Sequence, residues 1–152
     1  LAARGEHHSR AWGILGVERP RVEMEARDFY DDGLPCLDVL RARGLRIAAV
    51  GNTSLETEEL LREHVDVVGS SARWGVEKPA AAFFARVAAE TGRPVAEIAY
   101  VGDRVDNDVE PALAAGMVAV HIRRGPWGYL HEPPPAAFRI GSLDELPQVL
   151  GV

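Results

Sequence analysis

The chain is predicted to fold as an α/β protein, a doubly wound and mostly parallel sheet, on three observations. Short apolar runs recur along it, at Leu45 to Val50, Val65 to Gly69, Ile98 to Val101, Val118 to Ile122 and Phe138 to Ile140. Segments of helical period separate them, most with recognisable start or stop residues. The runs are close to continuous rather than alternating in polarity, as strands buried on both faces are.

Residues 1–27 are the least regular. Trp12, Ile14, Leu15 and Val17 mark a short amphipathic helix ended near Gly16, and Pro20 opens a second segment rich in Arg and Glu. His7 and His8 are adjacent, so on a helix they point apart; they are read as surface residues, not as a metal pair.

From Tyr30 the pattern sharpens. Pro35 starts a helix whose apolar series is Leu34, Leu37, Val39 and Leu40 and whose stop is Gly44. Leu45 to Val50 reads as a buried parallel strand. After Gly51-Asn52, Thr53 and Glu56 form a capping box for a helix reaching about His64. Val65 to Gly69 is a shorter strand, whose Asp66 suits a sheet edge. Ser70 to Glu77 reads as loop, and Pro79 takes the first position of a helix with Phe83, Phe84 and Val87 inside and Gly92 at its end. Ile98 to Val101 is a strand stopped by Gly102, followed by an acidic loop and a helix closing at Gly116. Val118 to Ile122 is the next strand. Arg123 to Pro135 is a loop without a period, in which Trp127 is expected to pack over the sheet edge. Phe138 to Ile140 is a last short strand, and Ser142 with Glu145 caps a terminal helix reaching Leu150.

Composition narrows the function classes. The 152 residues suit one domain with a sizeable core, and a hydrophobic fraction of 47% with 26% charged residues is that of an ordinary globular protein. A net charge of -6, with no basic run longer than Arg123-Arg124, argues against a nucleic-acid or anionic-membrane partner. No apolar run approaches a membrane span. The single cysteine, Cys36, lies among Leu34, Leu37 and Leu40 and is read as a buried packing thiol; it fits a reducing compartment, and the expected location is the cytoplasm. The chain opens at Leu1 without methionine, so a preceding segment is expected.

Chemistry collects at three places that follow strands or open helices: Gly51 to Ser54, Lys78, and Asp103 to Asp108. In a parallel sheet these share the edge where ligands bind. Two carboxylates, Asp103 and Asp108, suit one Mg²⁺, which takes one or two carboxylates, keeps several waters and bridges to phosphate oxygens. Backbone N–H groups around Gly51, Asn52 and Thr53 and the Lys78 cation suit a phosphate. A plainer reading stands beside this one: Asn107 or Asp108 could simply cap the next helix, and Lys78 could be an exposed surface lysine.

The ordered series Gly-Asn, Lys-Pro and Gly-Asp-x-x-x-x-Asp resembles the haloacid dehalogenase-like (HAD) hydrolase superfamily, mostly Mg²⁺-dependent phosphatases, from about Tyr30 to the C-terminus. The second motif of that superfamily matches Val50-Gly51-Asn52, the third is Lys78 of Val76-Glu77-Lys78-Pro79, and the fourth is Val101-Gly102-Asp103 with Asp108. The helix stop Ala114-Ala115-Gly116-Met117 is similar too. The resemblance implies that Asp103 ligands Mg²⁺ and that Asp108 holds it through water or orients Lys78. It implies that Lys78 neutralises the phosphoryl oxygens and the nucleophile, and that the substrate is a small phosphorylated molecule. Gly51 stands where the superfamily has a hydroxyl residue, so phosphate contacts fall to Asn52, Thr53 or the backbone there.

The first motif, an apolar strand ending in Asp-x-Asp that carries the nucleophile at the centre of the sheet, has no match. Asp28, Asp31 and Asp32 follow no apolar run. Residues 1–27 read as the helical remnant of a cap region and residues 28–152 as a HAD-like Rossmannoid core lacking its central first strand. Two explanations stay open, a nucleophile strand upstream of Leu1 and a catalytically silent binding or assembly module. A receiver-like module would need a phosphoacceptor aspartate that is also missing. The two strands that flank the missing one are expected either to pair directly or to leave a gap filled by a second copy or another partner chain, because unpaired buried backbone groups are costly.

Overall fold

The computed structural model describes residues 10–18 and 24–152. The proposed surface residues His7 and His8, and Pro20, lie outside these. Helix α1 (Arg10–Leu15) forms as its apolar pattern predicts and ends at Gly16, whose φ of 65° suits glycine, but it buries none of its residues. Thereafter come α2 (Gly33–Ala42), β1 (Ala48–Gly51), α3 (Leu55–Arg62), β2 (Val67–Ser70), α4 (Ser71–Trp74) and α5 (Ala81–Thr91). They are followed by β3 (Ala99–Gly102), a π-helical turn (Val105–Val109), α6 (Glu110–Ala114), β4 (Val118–Ile122), α7 (Gly125–Leu130), β5 (Phe138–Ile140) and α8 (Leu146–Leu150).

All strand pairs are parallel, and the sheet falls into two pieces. One pairs β1 with β2, from Ala48 opposite Val67 to Gly51 opposite Ser70. The other runs β3–β4–β5, with Gly102 opposite His121 and Ile122 opposite Ile140. Helices cover both faces. Phe83, Phe84 and Val87 of α5 meet Tyr100, Val109, Ala112 and Ala119 on one side. On the other side Cys36 and Leu40 of α2 and Leu146 of α8 meet Val120, Ile122 and Ile140. Alternate residues of β4 thus serve opposite faces, and both faces are buried, the reason this strand reads as a continuous apolar run. Cys36 is buried, as expected of a packing thiol.

No ladder joins β1 to β3, so among the described residues each pairs on one side only. Of the two expected outcomes for the missing central strand, direct pairing is the one that fails. The consequence shows in β1, read from sequence as fully buried: Ala48 is exposed and Ala49, Val50 and Gly51 are only half-buried. Residues 45–47 also stay out of the strand; the Ile47 N–H donates to Asp66 Oδ2 at 2.7 Å, so Asp66 acts as a side-chain bridge between the two chain segments.

Several local expectations shift. The cap of α3 is Ser54, whose Oγ accepts from Thr57 N–H at 3.3 Å, one residue beyond the expected Thr53, and the helix stops at Arg62, short of His64. The expected loop from Ser70 contains α4, capped by the Ser70 hydroxyl. That hydroxyl also donates to Glu58 Oε2 at 2.6 Å, and Glu58, 1% exposed, accepts from Arg73 at 2.5 Å and Arg62 at 3.0 Å. Burial opposes the ionisation of Glu58, but the bonds from Ser70 and Arg73 outweigh it and hold the carboxyl below its ordinary range. Pro79 does not open a helix: the Lys78–Pro79 peptide is cis and α5 begins at Ala81. The loop after β4 contains α7, with Pro126 in its first turn, where a missing N–H costs nothing. The capping box of Ser142 and Glu145 forms as read, on a 3-10 turn (Leu143–Glu145) leading into α8.

Candidate active site

The residues singled out at the strand ends meet through Lys78. Its Nζ donates to Asp108 Oδ1 at 2.6 Å, and both side chains are largely buried, 14% and 4% exposed. The main chain of Lys78 is held from the other half of the sheet: its N–H donates to Asn52 Oδ1 at 2.7 Å, and Asn52 Nδ2 donates to its carbonyl at 2.9 Å. An asparagine offers one acceptor and one donor pair on the same amide, so it can bind a peptide unit as another strand would. Asn52 is therefore engaged in placing Lys78. The Thr53 carbonyl accepts from Ala72 N–H at 3.4 Å and Ser71 Oγ at 3.5 Å, tying that loop to α4.

Asp108 does two things at once. While Oδ1 takes the lysine, Oδ2 accepts the Arg104 N–H at 3.1 Å. The capping alternative for Asp108 is thus half right: it satisfies a backbone donor, though one before the π-helical turn rather than within it. Gly102 makes this arrangement fit, because a Cβ there would lie 2.4 Å from the Asp108 Cβ. A strand that ends in Gly-Asp is accordingly a packing requirement as well as a chemical one.

Asp103 sits differently. Burial, and then the negative charge of Asp108, push its carboxyl above the ordinary carboxylate range; Lys78 and Arg104 only partly offset this. Among the described residues no other side chain hydrogen-bonds its carboxylate. An ionised, partly buried oxygen pair without a full counter-charge is what a small divalent cation satisfies. Among the described residues no set of three His, Cys, Asp or Glu side chains gathers to form an all-protein cage. Asp103 is thus the carboxylate that could take part in holding a cation, whereas Asp108 is committed to Lys78 and to the Arg104 N–H.

Three further residues were not singled out from sequence. His121 of β4 is fully buried, and its Nε2 lies 3.1 Å from the Asp103 carbonyl; burial lowers its pKa, and its Nδ1 has no partner among the described residues. Arg104 pairs with Asp106 at 2.6 Å, and its guanidinium lies 4.3 Å from the centre of the Trp127 ring. Trp127 thus packs on a side chain of the acidic loop, while Tyr129 and Leu130 of the same helix are exposed. Asp32, passed over for want of a preceding apolar run, pairs with both terminal nitrogens of Arg124 and also accepts from Ser142 Oγ and Leu143 N–H, each at 2.9 Å. The Arg124 bonds dominate and hold its carboxyl far below the ordinary range, against burial. Its partners are 92 to 111 residues away in the chain, and no local spacing signals them.

A family model described as haloacid dehalogenase-like hydrolase matches residues 2–116. The glyceraldehyde 3-phosphate phosphatase of Methanocaldococcus jannaschii is 32% identical over 127 residues, which cover 80% of this chain and 56% of that protein. The enzyme of the same name from Methanopyrus kandleri is 40% identical over 102 residues, 63% of this chain and 44% of that one. The chain thus spans about half the length of the curated relatives it matches. A HAD phosphatase from Thermococcus onnurineus superposes with a TM-score of 0.75 at 24% identity, covering 95% of this chain and 70% of that one. No described helix is long and apolar enough to cross a membrane. Since the family match takes in most of the chain, including the loop from Asp103 to Asp108, the chain belongs to the haloacid dehalogenase-like hydrolases.

Proposed function

We propose that this chain forms the phosphate- and Mg²⁺-binding part of a phosphatase that acts on a small phosphorylated metabolite in the cytoplasm. The observation that carries the reading is the Lys78–Asp108 pair, with Lys78 Nζ 2.6 Å from Asp108 Oδ1, beside a carboxylate at Asp103 that Lys78 and Arg104 only partly offset. The relatives named glyceraldehyde 3-phosphate phosphatase support a small phosphorylated substrate.

In this reading Asp103 would hold the ion, and Mg²⁺ would supply charge neutralisation at the phosphoryl oxygens. Lys78 adds a second cation from the other side, aimed by Asp108 and by the Asn52 amide. Backbone N–H groups at Gly51 to Thr53 receive the remaining oxygens. The nucleophile would belong to a strand between β1 and β3, which no described strand joins; its bond to phosphorus would form as the P–O bond to the leaving alkoxide breaks and the alkoxide takes up a proton, and water would then cleave the phosphoryl-enzyme bond to release inorganic phosphate. Residues 1–27 belong with a cap and 28–152 with the core. A catalytically silent assembly module, with a second copy or partner chain in the gap, is the competing reading.

The test uses the full-length gene product with p-nitrophenyl phosphate. Hydrolysis that requires Mg²⁺, is removed by EDTA, and falls at least about a hundredfold in Asp103→Asn supports the phosphatase. Activity that survives Asp103→Asn rejects it, and no activity above background in the unaltered protein favours the silent module.

A further inference from the structure

We infer that His121 is a positioning residue for the metal-binding carboxylate, acting through the peptide bond that joins Asp103 to Arg104. The carbonyl of that peptide faces His121 Nε2 at 3.1 Å, and its N–H donates to Asp108 Oδ2 at 3.1 Å. A carbonyl only accepts, so Nε2 carries the proton. A peptide unit is planar, and its C=O and N–H point in opposite directions when trans. Holding it at both ends sets its plane, and with it ψ of Asp103 and the direction in which the carboxylate leaves the main chain. The Asp108 half of this clamp also aims Lys78, so one rigid unit relates the cation to the acid.

The placement of His121 in the sheet makes this specific. It pairs in register with Gly102, the residue before Asp103, and shares a face of β4 with Ala119, which lies in the apolar cluster of Phe83, Phe84 and Tyr100. An aliphatic or phenyl side chain would fill that place without burying a polar nitrogen. His121 instead leaves Nδ1 without a partner among the described residues, a cost in stability. The hydrogen bond to the Asp103 carbonyl is what histidine supplies there and phenylalanine does not. Outer partners of metal ligands commonly act in this way, by orienting the ligand.

The inference rests on Asp103 binding the ion, and the test separates the two. Mn²⁺ affinity is measured by calorimetry on the full-length protein and on Asp103→Asn, His121→Phe and His121→Gln. His121→Phe is expected to weaken Mn²⁺ binding by about tenfold to a hundredfold. His121→Gln, which keeps an N–H at similar reach, is expected to recover affinity to within about threefold of the parent. If Asp103→Asn abolishes binding while His121→Phe leaves it unchanged, or if glutamine rescues no better than phenylalanine, the role of His121 is overturned and the metal site stands. If Asp103→Asn leaves affinity intact, the metal site itself falls and the inference with it. Should the phenylalanine variant not fold, the ¹⁵N spectrum of the unaltered imidazole decides. A proton on Nε2 whose resonance shifts with Mg²⁺ supports the role; a proton on Nδ1, or an Nε2 signal indifferent to Mg²⁺, overturns it.

Discussion

The two pieces of the sheet are built from similar residues and have opposite environments. In β3–β4–β5 the central strand has neighbours on both sides and helices on both faces, and Ala119, Val120 and His121 are completely buried. In β1–β2 the strand that should lie near the middle of the sheet has one neighbour among the described residues, and its Ala48 is exposed. Yet β1 and β3 both end in glycine, and each passes the chain into a loop that handles Lys78: Asn52 grips its main chain and Asp108 its ammonium. The difference shows that the contacts of Lys78 with Asn52 and Asp108 form without a ladder between β1 and β3. One lysine, held from both halves, connects them where main-chain hydrogen bonds do not.

The largest way to break that connection is Lys78→Met. It leaves the buried Asp108 carboxylate without its cation, which costs about 3–5 kcal/mol, or a fall of roughly 10 °C in Tm by calorimetry. Hydrogen exchange should then quicken in β1 well before it does in β4. Equal acceleration in both would mean that the shared core, rather than Lys78, couples them.

A pair confined to the better-buried half comes next. Asp32→Asn removes the anion that accepts from Arg124, Ser142 and Leu143, and should cost about 2–3 kcal/mol at pH 7. The sign of its pH dependence follows from the lowered carboxyl. The stabilisation is complete above the unfolded-state value of about 3.9 and is lost as pH falls from there toward the lower folded value. Urea titrations should therefore show parent and variant converging below about pH 4; a gap that is constant with pH would exclude the ion pair as its source.

The smallest effect separates the two strand-ending glycines directly. At Gly102 an added Cβ meets the Asp108 side chain at 2.4 Å, whereas at Gly51 it meets nothing within 4 Å. Gly102→Ala should cost about 1–3 kcal/mol and disturb the Lys78–Asp108 pair. Gly51→Ala should stay within about 0.5 kcal/mol. Comparable losses at both would show that the open side of β1 is filled in solution.

Much of the core was legible because its signals are local. The apolar runs placed five strands to within a few residues, and Gly16, Gly44, Gly92 and Gly116, read as helix stops, all take positive φ at or near helix ends. Ser142 and Glu145 are three residues apart and cap as read. Where two hydroxyl residues compete, as at Thr53 and Ser54, the pattern is ambiguous by one position, and Ser54 takes the cap. Helices α4 and α7 were missed because they are too short for a period to show, and Pro126 reads as a breaker although it is tolerated in a first turn.

Residue type and order along the chain were enough to single out Lys78, Asp103 and Asp108, because the ordered series Gly-Asn, Lys-Pro and Gly-Asp-x-x-x-x-Asp is more specific than any one of its charges. Which acid serves which purpose depended on distance in space. Asp108 is committed to Lys78 and to a backbone N–H, and Asp103 is left with raised basicity by its buried surroundings and its acidic neighbour. Asp32 was set aside for want of an apolar run before it and His121 was hidden inside an apolar strand, since the partners of both come from remote segments. The sequence by itself determined the alternation of strand and helix and the identity of the charged groups at the rim, because both follow from short-range pattern. Only the tertiary structure decided the division of the sheet and the partner of each acid, because burial and hydrogen bonding are set by neighbours distant in the chain.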